Sequence, residues 1–387
     1  MLNPTMQDAG NGFVQNINYP AQLPTEVQNT VAEAVSTAPD STFGEKSGNE
    51  ISEESNKEDE NLYFCHHLTG GAKHPGIIVE TPGLANIKPP RPVYRPRLPR
   101  ELVTSGKISQ IQLERIIYAG QAHNQFLPES MARAGISIGD GTGVGKTGTI
   151  LGIILDNWFS GRKRTIWFSV KFDLIKAVKD EMARLGFRIP IQLINDYKPE
   201  EHITLSKGIV FCTYQSLIAK SKKGLRRIDQ LTTWLGRTGL LIFDEGHRAK
   251  NFFAGEERRG GGTQTGAAVV EIQDTEKFPD YRVVYSSATA ATDVKHLGYM
   301  VRLGLWGKGT AFETFAEFAQ EIEEGGIGAM EMTARDLKAM GRYFCGSLSM
   351  GVDAESGLAV EYREVVHRLT EHQREMFDNM ARVWQAI

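Results

Sequence analysis

Apolar side chains recur along this chain in two rhythms, and their alternation predicts its architecture. Short continuous apolar runs stand at the head of ISIGDGTGVGKTGTIL (136–151), and at TIWFSV (165–170), Ile189–Ile194, GIVFCT (208–213), GLLIF (239–243) and VVYSSAT (283–289). Runs of that kind read as strands buried on both faces. Between them the spacing turns helical: Ile108–Phe126 carries apolar side chains at 108, 111, 113, 116, 117 and 119, Phe172–Leu185 reads as a further helix, and Lys146–Ser160 is apolar on nearly every side. A helix apolar all round belongs between a sheet and its neighbours. Strands alternating with helices predict an α/β fold, a mostly parallel sheet with helices on both faces.

The flanks break this rhythm. Residues 1–62 are polar and poor in large apolar side chains, so they are predicted to be a disordered acidic tail. Residues 63–107 are interrupted by prolines from Pro75 to Pro99 and predict an extended arm draped over a domain. The main lobe then runs over 108–305. From His296 to Ser349 the pattern is helical, and Trp306, Phe312, Phe315 and Phe318 read as core; residues 306–360 are taken as a helical accessory segment. In 361–387, after a loosely alternating Val360–Val366, Thr370 and Gln373 form a capping-box pattern. The helix behind it has a stripe of Met376, Phe377, Met380, Val383 and Trp384.

Charge and cysteine content narrow the picture. The 387-residue chain has a net charge of −3, but residues 1–62 hold eleven acids against two lysines, which leaves the remainder mildly basic and compatible with a phosphate ligand. Cys65, Cys212 and Cys345 lie far apart and suggest neither a disulfide framework nor a thiolate metal site. Cys65-His66-His67 is a poor ligand set without distant partners. No charged-then-apolar leader opens the chain, and no apolar run approaches a membrane span, which predicts an intracellular protein with no membrane partner. Cytoplasm and nucleus stay open, since the basic run Lys220, Lys222, Lys223, Arg226 and Arg227 fits a solvated segment better than a nuclear signal.

The chemistry gathers at three strand ends. After the first strand, Gly141, Thr142, Gly143, Val144 and Gly145 form a turn whose backbone N–H groups can face phosphate, at the positive end of the following helix. Lys146 follows as an ammonium for the β- and γ-phosphates and Thr147 as a hydroxyl for Mg²⁺. The pattern fits DxxGxGKT, with Asp140 in front, better than GxxxxGKT. A dinucleotide fingerprint on Gly143, Gly145 and Gly148 is the weaker reading, because TIWFSV ends in Val170-Lys171 rather than in a ribose-binding acid. GLLIF delivers Asp244 and Glu245 to its carboxyl end: Asp244 suits Mg²⁺, and Glu245 suits the attacking water. His247 suits coupling of the γ-phosphate to neighbouring loops, and Ser287 and Thr289, at the end of VVYSSAT, suit transmission of nucleotide state. Upstream, Gln112 has the amide an adenine edge needs.

Taken together, HPGIIVETPGLANIKPP, ISQIQLERIIYAGQAH, GDGTGVGKT, GIILDN, WFSV, TYQSL, DEGHRAKN, TQTGAAVVEIQ, YSSAT, RLGLWGKGTAF and GAMEM resemble the Strawberry notch family. The resemblance runs from about His74 to Trp384. It implies a RecA-like P-loop NTPase lobe of superfamily 2 helicase type, with ATP and Mg²⁺ as cofactors and nucleic acid, DNA before RNA, as partner. Family members often carry Gly-Arg after the loop lysine and DECH at the second motif, where this chain has Thr147-Gly148 and Gly246. Nothing after Ala288 resembles the second lobe that brings an arginine to the nucleotide. Such an arginine contributes roughly 10³ to 10⁵ in rate. The expectation is therefore weak turnover alone, in a piece of a longer two-lobed protein.

Two functions follow from these residues. The first is the ATP-binding motor lobe of a nucleic-acid-dependent helicase or translocase. The second is an ATP-gated, non-catalytic scaffold that recruits regulatory partners in transcription or chromatin. A GTPase has only Asn56-Lys57-Glu58-Asp59 to offer, on the wrong side of the loop.

Overall fold

The computed structural model describes residues 62–63, 65, 68, 70–246, 264–288, 294–349 and 370–385. They divide into two units, one ending at Leu348 and one beginning at Ser349. The first unit holds β1 (Ile78–Val79), α1 (Gln110–Ala122), β2 (Ile136–Ile138), α2 (Lys146–Phe159), β3 (Arg164–Ser169), α3 (Ile175–Leu185), β4 (Ile191–Leu193) and β5 (Gly208–Thr213). It continues with α4 (Arg227–Leu235), β6 (Leu240–Asp244), α5 (Gln264–Glu271), β7 (Arg282–Ser286), α6 (Phe315–Ala339), β8 (Tyr343–Phe344) and β9 (Ser347–Leu348). One-turn helices lie between them.

Seven strands pair in parallel in the order β4-β5-β3-β6-β7-β2-β8. Alternate side chains of each strand feed two cores. Ile138, Trp167, Phe211, Ile242 and Val284 face one way and pack with Ile154 of α2 and Ile117 of α1. Phe168, Val210, Phe243 and Tyr285 face the other and pack with Leu231 of α4, Val269 of α5 and Phe318 of α6. Each fully buried side chain of this size contributes about 1.5–3 kcal/mol, so the two apolar layers, rather than any surface ion pair, set the sheet's register. Trp306, Phe312, Phe315 and Phe318 form edge and tilted ring contacts in the second core, as their spacing implied.

α1 begins where Ser109 caps it. Ser109 Oγ accepts from Gln112 N at 3.2 Å, and Gln112 Oε1 accepts from Ser109 N at 3.0 Å. Such a capping box supplies about 1 kcal/mol. α2 is enclosed by the sheet and α1, which explains its apolar circumference.

Two segments depart from their sequence patterns. The arm is not wholly extended, since Ile78–Val79 is a strand and short helices start at Pro82 and after Pro99. Proline fits a helix's first turn, where no donor is lost. The rest of the arm is pinned to α2 by Asp156, whose carboxylate accepts from Tyr94 Oη at 2.7 Å and Arg97 N at 2.6 Å. The second departure lies in the accessory segment 306–360. There β8 joins the main sheet beside β2, and β9 pairs antiparallel with β1, Ile78 opposite Leu348. Two-residue strands carry no period for a sequence pattern to reveal.

The second unit's α7 (Glu371–Gln385) starts at the expected capping box, Thr370 N to Gln373 Oε1 at 3.0 Å and Gln373 N to Thr370 Oγ1 at 3.3 Å. Met376, Phe377 and Met380 are exposed on it. The strand expected at Val360–Val366 and nearly all of the acidic tail lie outside the described residues.

Candidate nucleotide site

β2 runs straight into the glycine turn, and the turn is held at both feet. At the entrance Asp140 is buried, and its two carboxylate oxygens accept from Arg115 Nη2 at 3.0 Å and Nε at 3.3 Å. At the exit Gly145 O accepts from Gln112 Nε2 at 3.0 Å. Gly143 and Gly145 have φ of 90° and 98°, values a β-carbon would strain. Thr142 and Gly143 form an exposed tip, while Val144 turns inward to Ile78 and Ile111. Gly141 departs from its expected role: its N–H donates to Gly346 O at 2.7 Å, because the chain after β8 runs on beside the loop. Lys146 opens α2, and Thr147 follows in its first turn, half-buried.

On the same edge β6 ends at the acidic pair. Asp244 stands opposite Ser286 of β7, and Ser169 Oγ lies 3.5 Å from its Oδ2. Trp167 Nε1 and Ser286 Oγ also face it and favour its charge. Burial first, then the Glu245 carboxylate, pushes Asp244 up to about 6. Glu245 has φ of 51°, the left-handed region, at a cost of roughly 1–2 kcal/mol for a residue with a β-carbon. Its N–H donates to Ser286 O at 2.7 Å, and Tyr214 Oη donates to Asp244 O at 3.0 Å. Lys146 Nζ reaches across to Glu245 Oε1 at 3.2 Å. Ser287 N donates to Ile138 O at 3.1 Å and so fastens the end of β7 to the strand that feeds the loop.

The sheet thus brings Lys146, Asp244, Glu245 and Ser287 to one edge. Thr289 and His247 lie outside the described residues. Gln112 is buried, with its amide engaged by Ser109 N and Gly145 O rather than turned to solvent. Gly246 has a packing reason, because a β-carbon there would stand 2.2 Å from Tyr299 Oη. Sequence reasoning passed over Arg115, Trp167, Ser169, Tyr214 and Tyr299. Of these only Arg115 left a trace, as a charge inside an otherwise apolar helical stripe.

Magnesium takes oxygen ligands and usually arrives with phosphate, held by one or two carboxylates and water. Asp244 fits that pattern: it is a partly accessible carboxylate whose charge the protein leaves only partly compensated. No cluster of three ligand side chains exists among the described residues. Cys65 Sγ lies 3.7 Å from Glu114 Oε2, and His66 and His67 lie outside the described residues. In the basic run, Arg226 pairs with Asp229 and Glu271, and Arg227 is buried against Tyr197 O.

A parallel sheet that carries a Gly-Lys-Thr turn into a helix, with an acidic pair at the end of a nearby strand, defines a P-loop nucleoside-triphosphate hydrolase domain. The chain belongs to the family described as P-loop containing NTP hydrolase pore-1, whose model matches residues 73–379. FORGETTER 1 of Arabidopsis thaliana is 40% identical over 329 residues, which cover 83% of this chain and 24% of that protein. Strawberry notch of Drosophila melanogaster is 40% identical over 334 residues, 83% of this chain and 20% of that one. Human strawberry notch homolog 1 is 39% identical over 334 residues, 83% and 23%. The resemblance read from the sequence blocks is therefore shown, and this chain spans about a quarter or less of the length of these relatives. A SWI2/SNF2 ATPase core domain from Sulfolobus solfataricus superposes with a TM-score of 0.43 at 15% identity, over 66% of this chain and 47% of that one. No helix among the described residues is long and apolar enough to cross a membrane.

Proposed function

We propose that this chain is the ATP-binding lobe of an intracellular, nucleic-acid-stimulated ATPase of helicase type, working with a second lobe in a longer protein. Lys146 carries this reading. Its ammonium lies 3.2 Å from the Glu245 carboxylate, which supports a loop and an acidic pair that share one ligand. The backbone N–H groups of the loop tip and of the first turn of α2 would hold the phosphates, with Lys146 against the β- and γ-oxygens. Thr147 and Asp244 would hold magnesium, which when bound neutralises charge on the phosphates. Glu245 would orient the attacking water and take its proton. Ser287, whose N–H donates to Ile138 O, would pass changes at the acidic pair to the loop.

Calorimetry with ATP and Mg²⁺ tests the site. Lys146→Ala is expected to weaken binding about 10- to 100-fold, the value of a hydrogen bond to a charged group; unchanged affinity would remove the loop assignment. In the full-length protein, DNA is expected to raise turnover more than RNA, with binding that falls steeply as salt rises. Indifference to both nucleic acids would favour the ATP-gated scaffold.

A further inference from the structure

The nucleotide reading above leaves unexplained why a fully buried arginine is committed to the loop. α1 presents Gln112 and Arg115 three residues apart, hence on one face of the helix. Gln112 holds the exit of the loop through Gly145 O, and Arg115 holds its entrance through both oxygens of Asp140. Arg115 has no exposed surface, and its Nη1 donates to Glu114 Oε2 and Tyr63 Oη. Its guanidinium also lies over two rings, 4.5 Å from the centre of Tyr63 and 5.0 Å from that of Phe344. A fork that meets a carboxylate at two atoms fixes orientation as well as distance, which a lysine cannot do.

We propose that α1 is the positioning element of the phosphate site. Arg115 acting through Asp140, and Gln112 acting through Gly145, fix the spacing of the loop's two feet before any ligand arrives. Both residues therefore serve the phosphate end of the nucleotide, not its base. The competing role for Gln112, contact with adenine, would have to use the second N–H and second lone pair of a buried amide already oriented by Ser109 N and Gly145 O. Loss of either foot lets the tip wander, and every triphosphate suffers alike, with or without a base.

The test is calorimetry of the whole chain with Mg·ATP and, separately, with magnesium and inorganic tripolyphosphate. Three variants serve: Gln112→Ala, Arg115→Lys, and the combined E114Q/R115M/D140N, which neutralises the buried charges together so that none is left unpaired. Each is expected to remain folded by circular dichroism and to weaken both ligands in parallel, by roughly 10-fold, the scale of one lost hydrogen bond in a fixed site. If Gln112→Ala weakens ATP while tripolyphosphate binds as before, the amide reads the base and the proposal fails for it. If folded Arg115→Lys or the triple variant binds both ligands with native affinity, the entrance foot has no positioning role. Failure of the native chain to bind either ligand would instead reject the nucleotide reading, and this inference with it.

Discussion

At the phosphate loop Asp140 meets both donors of the Arg115 fork and Gly145 meets Gln112, whereas at the acidic pair burial raises the Asp244 carboxyl and Tyr299 Oη lacks a partner among the described residues. Trp167 Nε1, Ser286 Oγ and Ser169 Oγ face Asp244, whose carboxyl burial still pushes up to about 6, and Tyr299 Oη beside Gly246 has no hydrogen-bond partner among the described residues. The backbone at Glu245 is strained as well. An unmet buried donor costs about 1–3 kcal/mol, and such costs collect where a ligand or a movement later relieves them. The loop half is thus held by its own hydrogen bonds, while the acidic half carries the poorly compensated charge and the strain, so the acidic end is where chemistry and conformational change should register.

The largest effect that would sharpen this contrast is at Glu245. Glu245→Gln, in the full-length protein, should keep nucleotide affinity and lower turnover by about 10²-fold or more, the range of a positioned base. Steady-state hydrolysis that survives the change would take the water-activating role from Glu245.

Next in size is a pH effect away from the acidic pair, where the end of α1 meets the start of β7. His123, at the end of α1, is buried and neutral, and its Nε2–H donates to Val283 O of β7 at 3.2 Å. Burial, with the nearby Arg282, Arg162 and Arg133, lowers its pKa to about 3. A folded pKa below the unfolded value means that its contribution is fully present above pH ~6.5 and is lost as pH falls toward 3. Urea midpoints should therefore drop between pH 7 and pH 4, with on the order of 3 kcal/mol traceable to this group. His123→Gln should flatten that slope; an unaltered slope would show that His123 is not the linkage.

The smallest expected effect is at Tyr299. Removing its hydroxyl in Tyr299→Phe deletes an unmet donor, so stability should stay level or rise by about 1 kcal/mol. A clear loss in thermal melting would mean that the hydroxyl has a partner and that the acidic end is less open than described.

Much of this arrangement is legible in the sequence, and the reasons differ by element. GLLIF and GIVFCT are recognisable because strands buried on both faces are continuous apolar runs. The turn before Lys146 is recognisable because few backbones need glycine at alternate positions. β1, β8 and β9 are not, since each is two residues long and β1 meets its partner β9 from the far end of the unit. That hidden pairing matters, because the chain after β8 takes the Gly141 N–H expected to face phosphate. Gln112 was visible as a special amide, but its bonds to Ser109 and Gly145 depend on how the helix begins and where the loop ends. Tertiary contacts of that kind leave no periodic trace. Thr289, a residue of the same motif as Ser287, lies outside the described residues and keeps only its sequence-based assignment.

The central claim is that cradle and acidic pair share one triphosphate, and a crystal structure with magnesium and a non-hydrolysable ATP analogue tests it directly. The expected result is Lys146 drawn away from Glu245 onto the β- and γ-phosphates, within roughly 3 Å, with the metal between Thr147 and Asp244. An analogue bound elsewhere, with the Lys146–Glu245 pair intact, would contradict it.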